Sequence, residues 1–241
     1  MERFLMNDLE AWKSSKRRKP LILNGARQVG KTWLLKEFGD KHYKNTAYLN
    51  FDNNSEAQMV FNLDFNVNRI IKDVQNITGK IVSEGNTLVI FDEIQECPKA
   101  LTSLKYFCEN VPGVHLVAAG SLLGLTVHEG TGYPVGKVNT LNLHPLSFRE
   151  FLDATGNTAL RQVVDSGDLS SFEIFHARLS ELLKHYYIVG GMPEAVLAYL
   201  DGGILEESRQ VQREILDGYR LDAAKHLSGK ETEFVLAAWD S

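Results

Sequence analysis

The segment Leu21-Ile22-Leu23-Asn24-Gly25-Ala26-Arg27-Gln28-Val29-Gly30-Lys31-Thr32 decides how the rest of the chain is to be folded. Its first three residues suit a buried parallel strand, and Gly25 to Thr32 fits G-x-x-x-x-G-K-[ST] at each fixed position. Four residues between two glycines let a backbone loop wrap a phosphate with several N–H groups turned inward. Gly25 and Gly30 are expected to take dihedrals that other residues resist. A helix opening near Lys31 brings the partial positive charge of its N-terminus to the same anion. Lys31 has the reach for the β and γ phosphates, and the Thr32 hydroxyl suits magnesium. Gly25, Ala26, Arg27, Gln28, Val29, Gly30, Lys31, Thr32 and Trp33 are therefore the nucleotide-contact candidates. The bland alternative is a glycine turn between strand and helix. It loses ground because Trp33, Leu34, Leu35 and Phe38 continue the helix until Gly39 offers a C-terminal stop.

Strand and helix alternate onward from there. Thr46 to Phe51 reads as a strand, followed by the polar turn Asp52-Asn53-Asn54-Ser55. Val67, Ile70, Ile71, Val74 and Ile77 share a helix face that ends at Gly79. Leu88-Val89-Ile90-Phe91 is then a continuous apolar run that stops abruptly in Asp92-Glu93. In an open α/β sheet, ligands bind beyond the carboxyl ends of the strands, the edge on which the phosphate loop also lies. That places Asp92 to hold magnesium, and Glu93 to orient and deprotonate a water. A polar loop after a strand is the plain alternative.

Beyond this pair, Leu101, Leu104, Phe107 and Cys108 mark a helix between Pro98 and Pro112-Gly113. The strand Val114 to Ala119 closes in Gly120-Ser121, so Ser121 either senses the γ-phosphate or caps the following turn. The glycines from Gly120 to Gly136 predict a mobile loop near the nucleotide, with a plain surface loop as the alternative. Val138 to Leu143 alternates like a half-exposed strand, and Ser147-x-x-Glu150 has the spacing of a capping box. Thr155 to Ser171 is a polar boundary stretch, after which Phe172 to Tyr186, Pro193 to Leu200 and Leu205 to Tyr219 carry helical periodicity. Phe4, Leu5, Leu9 and Trp12 predict a packing helix at the start.

Composition sets limits. With 241 residues and 44% hydrophobic content, the chain can bury a core and form one large and one smaller domain. A net charge of −5 and a pI near 5.8 argue against a general nucleic-acid coat. The local cluster Lys13, Lys16, Arg17, Arg18 and Lys19 reads as a solvated connection. Cys97 and Cys108 fit neither a disulfide framework nor a metal spacing, and no apolar run has membrane-spanning length, so a cytoplasmic location is expected.

With both motifs in view, the chain resembles a family of bacterial and archaeal AAA-type ATP-binding proteins that carry a C-terminal nuclease-like domain of unknown function. The resemblance rests on Leu23 to Thr32, Leu88 to Glu96, Ala118 to Gly124, Leu143 to Leu152, and Ile188 to Ala195. It implies that Lys31 and Thr32 are Walker A contacts, Asp92 and Glu93 the Walker B pair, and Ser121 the first sensor. It also implies a P-loop ATPase core over 1–160 with sheet order 5-1-4-3-2, and a helical, winged-helix-like lid over 161–241. The chain stops at Trp239-Asp240-Ser241 where relatives continue, so the nuclease-like domain is expected to be missing and the lid incomplete. Lys137, Arg149 and Arg220 are the candidates for a transition-state cation, each with a surface salt bridge as its ordinary reading.

The expected activity is magnesium-dependent ATP hydrolysis that drives a conformational switch, with catalysis by Glu93, Lys31 and Ser121 and metal held by Thr32 and Asp92. The rivals are a nucleotide-gated binding module with little turnover, and a small-molecule kinase, which the missing arginine cluster disfavours. ATP and ADP are the expected ligands. The resemblance leaves room for DNA contact without support from net charge, and the oligomeric state stays open.

Overall fold

Strand β1 (Leu21–Gly25) is formed by the apolar run of the opening segment and lies in the interior of a five-stranded sheet. In the computed structural model the backbone is described for residues 1–121 and 133–226, with side chains as far as residue 221. The chain divides into two compact units, one from Arg3 to His144 and one from Pro145 onward together with Met1–Glu2. The division lies upstream of the polar stretch 155–171.

In the first unit α1 (Leu5–Ser14) precedes β1, and then α2 (Lys31–His42), β2 (Asn45–Asn50), α3 (Ser55–Val60), α4 (Val67–Thr78) and β3 (Thr87–Asp92) follow. A 3-10 turn (Ile94–Glu96), α5 (Pro98–Asn110), β4 (His115–Ser121) and β5 (Asn139–Leu143) complete it. The strands pair in parallel in the order β2-β3-β4-β1-β5, which is the expected 5-1-4-3-2. Every residue of β3 and β4 is buried, as interior parallel strands covered on both faces require. The register sets Gly25 beside Ser121, and Asn50 beside Asp92. The carboxyl ends of β1, β3 and β4 thus share one rim.

One face of the sheet presents Ile22, Ala47, Leu49, Val89, Phe91, Leu116 and Ala118 to a core closed by α3, α4 and α5. Phe91 meets Phe51, Phe61 and Phe107 edge-on, with ring centroids 5.5 to 6.0 Å apart. Truncating such a ring costs about 3–5 kcal/mol. On α2, Leu34, Leu35 and Phe38 are fully buried, and Trp12 of α1 tilts onto Phe38.

Three local expectations are corrected. Gly39 does not stop α2, which runs to His42; a Cβ on Gly39 would collide with Thr46 Oγ1, so this glycine lets the helix approach β2. The polar turn after β2 leads into the short helix α3, because the Asn54 side chain accepts from the Ala57 amide and caps it. In the basic cluster, only Lys16 and Arg17 are plainly exposed. Lys13 donates to His42 O, Arg18 to Lys13 O and Pro112 O, and Lys19 to Gly136 O, so the segment is a strap rather than a solvated run.

The second unit is helical: α6 (Phe148–Ala154), α7 (Thr158–Ser166), α8 (Leu169–Val189), α9 (Pro193–Gly202) and α10 (Leu205–His226). The Ser147/Glu150 capping box is formed at both hydrogen bonds. The polar stretch 155–171 contains α7, whose Leu160 packs with Leu152 and Leu179. Leu146, Phe151, Val189 and Val196 form the companion cluster. Among the described residues no helix is long and apolar enough to cross a membrane. The glycine-rich loop expected after Ser121 lies mostly outside the described residues, as does Trp239-Asp240-Ser241.

Candidate functional site

The loop between β1 and α2 is shaped by two different uses of glycine. Gly30 caps α2 at φ 91°, a left-handed conformation, as expected. Gly25 does not take positive φ; a Cβ there would sit 2.5 Å from Leu143 O and 3.0 Å from Val29 Cγ2. Its requirement is therefore space rather than dihedral freedom. Gln28 is left-handed at φ 64°, which costs a residue with a Cβ about 1–2 kcal/mol. Val29 is fully buried beneath the loop, whereas Ala26, Gln28 and Trp33 are exposed.

Arg3 braces this loop from a distance in sequence. Its guanidinium, 7% exposed, donates to Val29 O at 2.9 Å and to His144 O at 2.5 Å. The Arg27 side chain is half-buried and also has a partner. Lys31 Nζ donates to Gly25 O at 3.0 Å and Ala26 O at 2.8 Å, the carbonyls of its own loop. Burial pushes the Lys31 ammonium below its ordinary value; Glu93 and then Asp92 oppose that shift, and Arg27 adds to it. A partly desolvated cation thus stands where the loop opens.

Thr32 Oγ1 donates to Asp92 Oδ2 at 2.8 Å, joining the start of α2 to the end of β3. Tyr48 of β2 donates its hydroxyl to the same oxygen at 2.8 Å, and the Glu93 amide donates to Asp92 Oδ1 at 3.1 Å. Asp92 is 1% exposed, so these donors offset the loss of water around a buried carboxylate. Burial, then the bond to Asp92, raises the Tyr48 phenol and keeps it a donor. Lys36 lies over the Tyr48 ring at 4.0 Å.

Glu93 takes φ 52°, so two of the three positive-φ residues with a Cβ among those described, Gln28 and Glu93, border this rim. Such conformations persist where the surroundings over-determine them, often at working sites. Gln95 Nε2 donates to Glu93 Oε2 at 2.5 Å, and Gln95 Oε1 accepts from the Ser121 amide at 3.3 Å. Ser121 is buried at the end of β4 and joins Glu93 through that amide side chain.

Lys31, Thr32, Asp92, Glu93 and Ser121 all gather at the rim. Of the three candidate transition-state cations, Lys137 pairs with Glu109 at 2.9 Å, Arg149 with Asp165 at 2.5 Å, and Arg220 also has a partner. Sequence reasoning passed over Tyr48, Gln95 and Arg3. Tyr48 had a signal, since Thr46, Tyr48 and Asn50 alternate with buried Ala47 and Leu49. Arg3 had none, because its bonds reach 26 and 141 residues along the chain.

Chemically, a hydroxyl beside a carboxylate is an oxygen pair suited to a hard divalent cation that keeps several waters. A lysine at the mouth of a loop leading into a helix N-terminus suits phosphate oxygens. The residues present therefore fit a magnesium–triphosphate pair.

Residues 17–152 match the AAA domain family AAA_14, more than half of the 241-residue chain. No curated protein is a significant match. Among solved structures, Aeropyrum pernix ORC1 in complex with DNA is 17% identical with a TM-score of 0.40; 62% of this chain covers 45% of that one. C. elegans PCH-2 is 14% identical over 86% of this chain and 67% of its own, with a TM-score of 0.45. Drosophila ORC bound to DNA is 15% identical over 88% and 66%, with a TM-score of 0.48. The DNA belongs to the two ORC structures.

Proposed function

The chain belongs to the AAA domain family AAA_14, and from that membership and the chemistry of its sheet rim we propose that it hydrolyses ATP to drive a conformational switch. The observation that carries this reading is the meeting of Lys31, the Thr32–Asp92 pair and Glu93 at the ends of β1 and β3. Gly25 to Trp33 form the triphosphate cradle. Lys31 exchanges the Gly25 and Ala26 carbonyls for phosphate oxygens. Thr32 and Asp92 would hold magnesium, which when bound offsets charge on the phosphates.

Glu93 acts on water. Its carboxylate orients the molecule in line with the γ-phosphorus and takes its proton as the new P–O bond forms. The bridging P–O bond breaks and ADP leaves. Lys31 offsets the charge that builds on the transferred group. Ser121 registers the γ-phosphate or the attacking water from the end of β4. The helical unit from Pro145 onward serves as the lid that moves with nucleotide state, having a core of its own.

Phosphate release from ATP is the test. The wild type is expected to turn over only with magnesium, and Glu93→Gln to bind ATP while losing about 100-fold or more in rate. Undiminished turnover in Glu93→Gln removes the carboxylate from its assigned role. ATP that is bound by the wild type and never cleaved would favour a nucleotide-gated binding module instead.

A further inference from the structure

Pairing between β3 and β4 ends with Phe91 beside Ala118. Gln95 reaches from beyond β3 to the end of β4. It is 7% exposed, on the 3-10 turn that follows Glu93, and uses both ends of its amide. Nε2 donates to the Glu93 carboxylate and Oε1 accepts from the Ser121 N–H. The orientation is fixed by chemistry. A carboxylate needs a donor and an amide N–H needs an acceptor, so a flipped side chain would lose both bonds.

We propose that Gln95 is the positioning residue for Glu93, holding one carboxylate oxygen so that the other faces water, and tying the base to the end of β4. This rests on the hydrolysis reading and adds a third group to it. A base oriented by a further hydrogen bond is a recurring arrangement in catalysis. Here the need is acute, because Glu93 stands on a left-handed residue at the tip of its strand and its side chain would otherwise sample several rotamers. The bond leaves Oε1 of Glu93 for the substrate water. Because the same amide accepts from Ser121, a displacement of the β4 end would move Glu93 with it.

Gln95→Met tests this, since it keeps the volume and removes both hydrogen bonds. ATP turnover is expected to fall about tenfold in kcat, the low end for loss of such an outer partner. KM for ATP should stay close to wild type, while the melting temperature falls by a few degrees because the buried Ser121 N–H loses its acceptor. In a Glu93→Gln background the same substitution should cost nothing further, because the base it positions is already gone. Amide hydrogen exchange at Ser121, read by NMR without nucleotide, should speed up in Gln95→Met. Unchanged kcat, an equal loss in both backgrounds, or unaltered Ser121 exchange would each overturn the proposal. A wild type that binds ATP without turnover overturns the hydrolysis reading and the positioning role together. In that case faster Ser121 exchange in Gln95→Met marks the bridge as structural only.

Discussion

Asp92 illustrates what a single buried charge demands of its neighbours. Its two oxygens accept from Thr32, Tyr48 and the Glu93 amide, donors drawn from α2, β2 and the residue that follows it. Removing one of them leaves a carboxylate lone pair short of a partner. Tyr48→Phe is therefore expected to lower stability by about 1–3 kcal/mol in urea unfolding; a variant as stable as wild type would show that water replaces the phenol without cost. A second titratable group lies at the opposite end of the same sheet. Burial first, then Arg18 and Lys13, lowers the His115 imidazole from 6.5 to about 4, and Tyr43 bonds its Nδ1 at 2.8 Å. Between those pH values the unfolded chain holds a proton that the folded chain refuses, so stability rises with pH and is lost as pH falls through the window. At about 1.4 kcal/mol per unit the loss approaches about 3 kcal/mol. His115→Gln keeps a partner for the Tyr43 hydroxyl and removes the proton. The stability advantage of wild type over this variant should shrink from pH 6.5 to 4; parallel curves would refute the assignment.

At the scale of elements, glycines separate what sequence discloses from what it conceals. Gly191 must be glycine because a Cβ would run into the backbone O and N of Leu146, which itself donates to Gly191 O at 2.6 Å. Gly218 lies within α10 with open space around its missing Cβ. Gly191→Ala should destabilise the protein by about 1–3 kcal/mol, and Gly218→Ala should stabilise it by about 0.5–1 kcal/mol; thermal unfolding reads both signs. The sequence shows two glycines and no difference between them. Gly39 teaches the same lesson, since it has the look of a helix stop and instead lets α2 close on Thr46. Periodicity was a better guide. The α4 stripe ending at Gly79, the buried β3 run and the Ser147/Glu150 box all took their expected forms, because each is dictated by neighbours within a few residues. The helices α3 and α7 escaped notice because they begin in polar segments whose composition resembles a turn.

Across the whole molecule, the strand order was legible because a phosphate loop and an acid-terminated strand of this kind carry a strong topological expectation, and the sheet obeys it. The placement of the loop and acid residues at one rim was legible for the same reason. Their supports were not: Arg3 and Tyr48 are recruited by tertiary proximity, and Gln95, only two residues from Glu93, reaches it through a 3-10 turn that no local pattern announces. The central claim is that Lys31 and the loop around it grip a triphosphate beside Thr32 and Asp92. Calorimetric titration of ATP with magnesium tests it most directly. Wild type should take up one nucleotide per chain and Lys31→Ala should lose about 100-fold or more in affinity, as expected when a charged partner is removed from a partly desolvated site. A wild type that releases no heat and takes up no ATP, or a Lys31→Ala protein that binds it equally well, would contradict the account.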